Sequence, residues 1–236
     1  MQPHQKTTVI TIDGPAGAGK STVARGLAQR LRFSYLDTGA MYRALTLKAL
    51  RVQCYLENEN ELATLAHQTT IDLKSTKGGL RVFLDGEDVS QAIRTLEVTN
   101  NTFYIARAPQ VRAVMVQWQR EYGNRQNIVV EGRDVGTVVF PQARIKFYLD
   151  ADFQERARRR IQELKEQGKK VDDSKLKEEL QERDHKDFSR KVGPLRKAED
   201  AIVIDSTSLS ADEVIDKMQV YVNEVLNEKT AKRREV

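Results

Sequence analysis

The chain has 236 residues, 39% hydrophobic and 31% charged, with a formal net charge of +5. That length suits one α/β domain with insertions and a sizeable core, and no apolar run approaches the roughly 20 residues of a membrane span. A single cysteine, Cys54, excludes an internal disulfide and fits a reducing compartment. The opening MQPHQK has no apolar signal core behind it, so the expected location is the cytoplasm. The basic balance fits nucleic acid or small anionic substrates equally, and the placement of the basic residues has to decide.

Val9-Ile10-Thr11-Ile12 is a short β-branched run, predicted to be a buried strand. It leads into Gly14-Pro15-Ala16-Gly17-Ala18-Gly19-Lys20-Ser21-Thr22, which carries the Gly-x4-Gly-Lys-Ser spacing of a phosphate-binding loop. Val23, Leu27, Ala28 and Leu31 then recur at helical spacing. Strand, loop and helix together supply the context that a chance match lacks. Glycines leave room for backbone N–H groups to close on a β-phosphate, and the helix N-terminus adds its positive dipole end. Lys20 is placed to bridge β- and γ-phosphate oxygens, and the Ser21 hydroxyl to ligate Mg²⁺. This is a nucleoside-triphosphate site. Asp13, Asp37 and Glu131 are candidates for a carboxylate near the metal.

A short apolar run, Phe33–Leu36, precedes Asp37-Thr38-Gly39-Ala40-Met41-Tyr42-Arg43, where Asp37 or Thr38 can cap the next helix. Arg43 falls in that helix's first turn, where a cation is disfavoured unless an anion sits there. A short helix is predicted over 57–68. The texture then becomes antiparallel: Thr69–Lys74 and Leu80–Leu84 alternate around the turn Ser75–Gly79, and Val89 extends the small sheet. Residues 68–106 read as an inserted subdomain that leans on the core. Pro109 opens a helix whose Val111, Met115, Trp118 and Tyr122 face inward, leaving Arg112 on another face, free to act.

The strand Asn127–Val130 runs into Glu131-Gly132-Arg133-Asp134, and in open α/β sheets ligands bind beyond the carboxyl ends of strands. After the strand Ile145–Leu149, the segment from Asp152 is helical and basic. Arg156, Arg159 and Arg160 crowd one face, as if awaiting an anion, and the few core residues describe a mobile flap. Asp172 to Ser174 start another helix with Leu176 and Leu180 inward. On it Arg183, Asp187 and Arg190 form one stripe, with an intrahelical ion-pair ladder as the plainer account. A last strand, Ala201–Ile204, is followed by Ser206-Thr207-Ser208 and a final helix, which is expected to fray from Asn227 onward. A guanine-reading Asn-Lys-x-Asp segment is lacking, which counts against a GTPase switch. The arginines sit at strand ends and in one flap, which counts against a nucleic-acid stripe.

With IDGPAGAGKST, YLDTGAMYR, EGRDVGTVVFP, ERDHKD and IDSTSLS all in view, the chain resembles the bacterial cytidylate (CMP) kinases nearly end to end. The resemblance implies a P-loop three-layer α/β fold of about five parallel strands. Residues 1–67, 107–151 and 171–236 would be its core, 68–106 a small antiparallel β subdomain for the monophosphate, and 152–170 an arginine-rich lid. It implies transfer from Mg-ATP to CMP or dCMP by a monomer with no nucleic-acid or membrane partner. Gly14 to Thr22, Ser206 and Thr207 would hold ATP. Thr38, Tyr42, Arg43, Arg112, Arg133, Asp134, Arg183, Asp187 and Arg190 would hold CMP, and Lys20, Arg133, Arg156 and Arg160 would act in catalysis. Ionised Asp134 and Asp187 suit the N4 amino donor that marks cytosine. Where the family often has a small polar residue near the base, this chain has Phe103, so Thr102 substitutes for it or the contact is lost.

Overall fold

The computed structural model describes residues 7–76, 79–166, 168 and 170–232. The expected strand β1 is Val9–Asp13, and the helix after the glycine loop, α1, is Lys20–Leu31. They are followed by β2 (Ser34–Asp37), α2 (Thr38–Arg51) and α3 (Glu59–His67). The inserted region holds β3 (Ile71–Thr76), β4 (Gly79–Leu84) and a two-residue β5 (Glu87–Asp88), a 3-10 turn over Ala92–Arg94, and α4 (Leu96–Arg107). Then come α5 (Pro109–Arg125), β6 (Ile128–Gly132), a π-helical turn over Val135–Val139 and β7 (Ile145–Asp150). The chain closes with α6 (Phe153–Glu166), α7 (Asp173–Ser189), β8 (Ile202–Asp205) and α8 (Ala211–Lys232).

The main sheet runs β2-β6-β1-β7-β8 with every pair parallel. The central strands β6, β1 and β7 are covered on both faces and are largely apolar on both, while the edge strand β8 leaves Ile202 and Val203 exposed. Ile10, Ile12, Val129, Phe147 and Leu149 pack with Leu27 of α1 and with Val214, Met218 and Val222 of α8. Leu36, Ile128 and Val130 face the other way, onto Met41, Leu45, Val111 and Met115 of α2 and α5. Ile71, Val82, Leu84, Ile93 and Ile105 join that same cluster, so the inserted region leans on the core as its pattern indicated.

Parallel pairing brings Asp13, Asp37, Gly132, Asp150 and Asp205, the last residues of the five strands, to one edge of the sheet. No helix among the described residues is long and apolar enough to cross a membrane.

The insertion contains a helix, α4, as well as the antiparallel sheet. The expected turn of the β3–β4 hairpin falls partly on residues 77 and 78, outside the described residues. Residues 167 and 169 of the basic segment are outside them too. α8 is helical through Lys232, past Asn227 where fraying was expected, and Val214, Met218 and Val222 pack its earlier turns on the sheet. Residues 233–236 are outside the described set.

Candidate active site

The glycine loop takes its shape from backbone angles that side chains rarely reach: Gly14, Gly17 and Gly19 have φ of +154°, +78° and +86°. A Cβ on Gly14 would fall on the Leu149 carbonyl, and one on Gly17 would lie 2.9 Å from the Arg156 carbonyl oxygen. The loop is therefore pressed between β7 and α6. Lys20 is 6% exposed, and its Nζ donates to the Pro15 carbonyl at 2.6 Å. Burial pulls its pKa down to about 7, and the nearby Arg133 adds to the fall. Ser21 and Thr22 are exposed on the first turn of α1.

On the far side of the loop, Arg156 Nη1 donates to the Ala16 carbonyl at 2.9 Å and pairs with Asp184. The Ala16 N–H donates to the same carboxylate at 3.3 Å. Ser206 donates to the Asp150 carbonyl at 3.0 Å and receives an N–H from Arg159 at 3.0 Å. The Thr207 hydroxyl accepts the Asp152 N–H at 2.8 Å, joining β8 to the start of α6. Gly14 to Thr22 and Ser206, expected at the ATP site, are thus brought together at one loop, with Thr207 beside Ser206 at the start of α6.

The second half of the site lies across the strand ends. Asp37 caps α2 by accepting the Ala40 N–H at 2.8 Å, and its other oxygen receives Arg43 Nη2 at 3.0 Å. Arg43 is the sixth residue of α2, in its second turn rather than its first, and pairs with the capping carboxylate itself; its Nε has no protein partner. Thr38 donates to the Glu131 carbonyl at 2.7 Å. Arg133 Nε donates to Asp187 at 2.7 Å. Arg190 is 9% exposed, with Nε and Nη2 unpartnered. Burial pulls Arg183 down to about 10, helped by Arg133, Arg43 and Arg160. Burial pushes Asp187 up, but Arg133, Arg183 and Arg190 outweigh it and hold the carboxyl below its usual range. Around Asp134 burial wins over Arg112 and Arg190, and its pKa is raised.

Several expectations change. Arg112 is not free: it is 3% exposed, paired with Asp134 and stacked near the Tyr42 ring, and Tyr42 is itself pushed to about 12 by burial. The backbone at Gly193 (φ +57°) closes over that pair. The intrahelical ladder on α7 does not form, because Asp187 turns to Arg133 instead. The crowded arginines of α6 are paired rather than bare: Arg156 with Asp184, Arg159 with Glu155 and Arg160 with Glu163. α6 buries Ala157 and Leu164, and Ala157 packs with Ala16 and Leu180 in a small apolar cluster. The Thr102 hydroxyl donates to Val98 O at 2.7 Å and accepts from the Thr46 hydroxyl of α2 at 3.4 Å. Phe103 faces the Lys186 ammonium of α7, 5.6 Å from the ring centre.

The sequence reading missed Asp184, Gly193 and Tyr35. Tyr35 donates to Glu131 at 2.6 Å in the interior. Burial, then the neighbouring Asp37, raises Glu131, while Lys20 and a hydrogen bond from Ser21 pull the other way. Only the alternation of Tyr35 with Leu36 in β2 hinted at it. A groove of about 790 Å³ between α6 and α7, lined by Arg158, Lys165 and Lys177 among others, shares no residue with this site.

A glycine loop at a helix N-terminus, facing buried arginines beyond the ends of a parallel sheet, defines a P-loop kinase with an anionic acceptor. The family model described as cytidylate kinase matches residues 10–224, and the chain belongs to that family. It is similar to the cytidylate kinase of Anoxybacillus flavithermus, 51% identical over 93% of this chain and 98% of that protein. It is also similar to that of Bacillus subtilis, 48% identical over 91% and 96%. An uncharacterized protein from Eubacterium ventriosum shares the fold, with a TM-score of 0.51 at 12% identity over 92% of this chain and 99% of that one.

Proposed function

We propose that the chain transfers the γ-phosphoryl group of Mg-ATP to CMP or dCMP, giving ADP and CDP or dCDP, as a monomer acting on free nucleotides. The observation that carries this reading is the gathering of buried Lys20 with half-buried Arg133 and Arg183, close enough to feel one another's charge. Burial first, and then the repulsion from Arg133, depresses both Lys20 and Arg183. Burying like charges together is unfavourable unless an anion joins them, and a phosphoryl group between two nucleotides is such an anion.

The loop backbone from Gly14 to Gly19 holds the ATP phosphates, with Ser206 and Thr207 toward the donor base. Arg43, Arg133 and Arg183 hold the acceptor phosphate, and Thr38, Tyr42, Arg112, Asp134, Asp187 and Arg190 hold its sugar and base. The acceptor phosphate oxygen is already anionic, so it attacks the γ-phosphorus in line without a general base. The work is positioning and charge stabilisation. Lys20 leaves the Pro15 carbonyl for the β- and γ-oxygens, and Arg156 and Arg160 add positive charge from α6. Residues 152–170 would act as the lid that excludes water and 68–106 as the acceptor subdomain, on the core of 1–67, 107–151 and 171–236.

Mg²⁺ would be held by the Ser21 hydroxyl, with Glu131 behind it. One hydroxyl and one carboxylate suit an ion that keeps several waters and takes substrate phosphates, and no cluster of three or more metal-ligating side chains is found among the described residues. When bound, the ion neutralises charge on the β- and γ-oxygens. Asp37 is occupied as cap and partner of Arg43, and Asp13 by backbone N–H groups, so neither is free for it.

The test is ADP release from Mg-ATP with CMP, dCMP, UMP, AMP, GMP and shikimate as separate acceptors, for wild type and Asp187→Ala. Fast turnover with CMP and dCMP, lost in the variant by about 10²-fold or more, is expected. A preference for UMP would overturn the reading of the carboxylates, and turnover independent of acceptor would overturn the reaction.

A further inference from the structure

Asp13 takes no part in the chemistry just described, yet it is a carboxylate only 3% exposed at the last position of β1, next to the first glycine of the loop. Both oxygens are used. Oδ1 accepts the Val135 N–H at 2.8 Å and Oδ2 accepts the Gly136 N–H at 2.7 Å. These are the first two residues of the π-helical turn that follows Arg133 and Asp134. The surrounding backbone has little slack. A Cβ on Gly132 would lie 2.6 Å from the Thr38 hydroxyl, and one on Gly136 would lie 2.9 Å from the Thr11 hydroxyl and 3.3 Å from Asp13 Oδ2.

We infer that Asp13 is a positioning residue for the acceptor: its carboxylate fastens the turn carrying Arg133 and Asp134 to the strand from which the phosphate loop springs. The inference rests on the acceptor reading given above. Stability alone does not account for the residue. Burial pushes the Asp13 pKa up to about 6 against the pull of the two N–H groups, and the like charge of nearby Asp134 adds to the rise. Lys20 on α1 is the cation facing it, and Tyr148 on β7 feels its charge. A neutral side chain would avoid the desolvation but would accept only one of the two N–H groups. What the carboxylate alone supplies is a two-point hold, and its object is the pair of residues that meet the acceptor nucleotide.

The experiment compares Asp13→Asn with wild type in steady-state kinetics, varying CMP and ATP separately, with hydrogen exchange of the 132–139 amides as a second readout. Leaving one buried N–H unsatisfied is expected to raise KM for CMP about tenfold, with KM for ATP within about twofold. Exchange at Val135 and Gly136 should quicken while α1 is unchanged. Equal rises in both KM values, or no change in either, would reduce Asp13 to a fold-stabilising residue and overturn the inference. Should Asp13→Asn fail to fold, Asp13→Ser is read by the same split. Wild-type turnover of CMP in the same assay tests the acceptor reading independently, since its absence would remove that reading whatever the variant does.

Discussion

Lys20 shows what a single residue gives up for the site. Its ammonium is buried against the Pro15 carbonyl, and burial and Arg133 bring its pKa to about 7 from 10.5. The folded state therefore binds fewer protons here than the unfolded state between about pH 7 and 10.5, and stability owed to this group rises with pH across that window. Below about pH 7 the full cost of the buried charge is present. Lys20→Met should therefore raise the melting temperature of the ligand-free chain most near pH 7, and hardly at all near pH 10.5. It should also lower turnover by about 10²- to 10³-fold. Paired melts at the two pH values check this, and a variant that melts lower at pH 7 would show that Lys20 stabilises the fold. The position of Lys20 was legible because a phosphate-binding loop fixes the spacing of Gly14, Gly19, Lys20 and Ser21. Asp184 was not legible: it stands one residue from Arg183 but faces Arg156 and Ala16, contacts 28 and 168 residues away in sequence.

Among the elements, α6 and α7 depart most from their sequence pattern. Read alone, α6 is a run of arginines with little apolar content. Packed, it sets Ala157 against Ala16 and Leu180, and Arg156 against Asp184, so that α7 clamps α6 onto the phosphate loop. Asp184→Ala would leave Arg156 buried without its partner and free the Ala16 N–H. Breaking a buried pair in this way costs about 3–5 kcal/mol, and the loosened loop should raise KM for ATP about tenfold. Urea unfolding and ATP-dependent kinetics together check it; an unchanged KM for ATP would show that the clamp serves stability only. The parallel strands and α1, α2 and α5 were readable because their apolar spacing is set by burial alone. α4 was not, since Val98, Thr99, Asn100, Asn101 and Thr102 are weak helix formers. That helix depends on the Thr95 cap and on Val98, Ile105 and Ala106 packing inward.

For the molecule as a whole, the two halves of the site are joined by charge more than by core. The acceptor region is held to α7 by Arg133–Asp187, and α6 is held by Arg156–Asp184, with only a small apolar cluster of Ala16, Ala157 and Leu180 behind it. Around these pairs, Arg183 is depressed by burial among other cations and Arg190 keeps two unpartnered donors. With no anion present that arrangement repels itself, so the ligand-free chain should open at α6 and α7 in solution. Nucleotide phosphates remove the repulsion and favour the closed form, and each nucleotide at 100 times its dissociation constant adds about 2.7 kcal/mol. For a chain of this length that is a melting shift of about 5–10 °C per nucleotide. Small-angle scattering should then show a smaller radius of gyration with an ATP analogue and CMP together than with neither. A melting shift without compaction would mean that the arginines are held closed by the fold itself. The reason would then have to lie in the carboxylates Asp134, Asp184 and Asp187, whose replacement by neutral amides should open the chain where nucleotide removal did not.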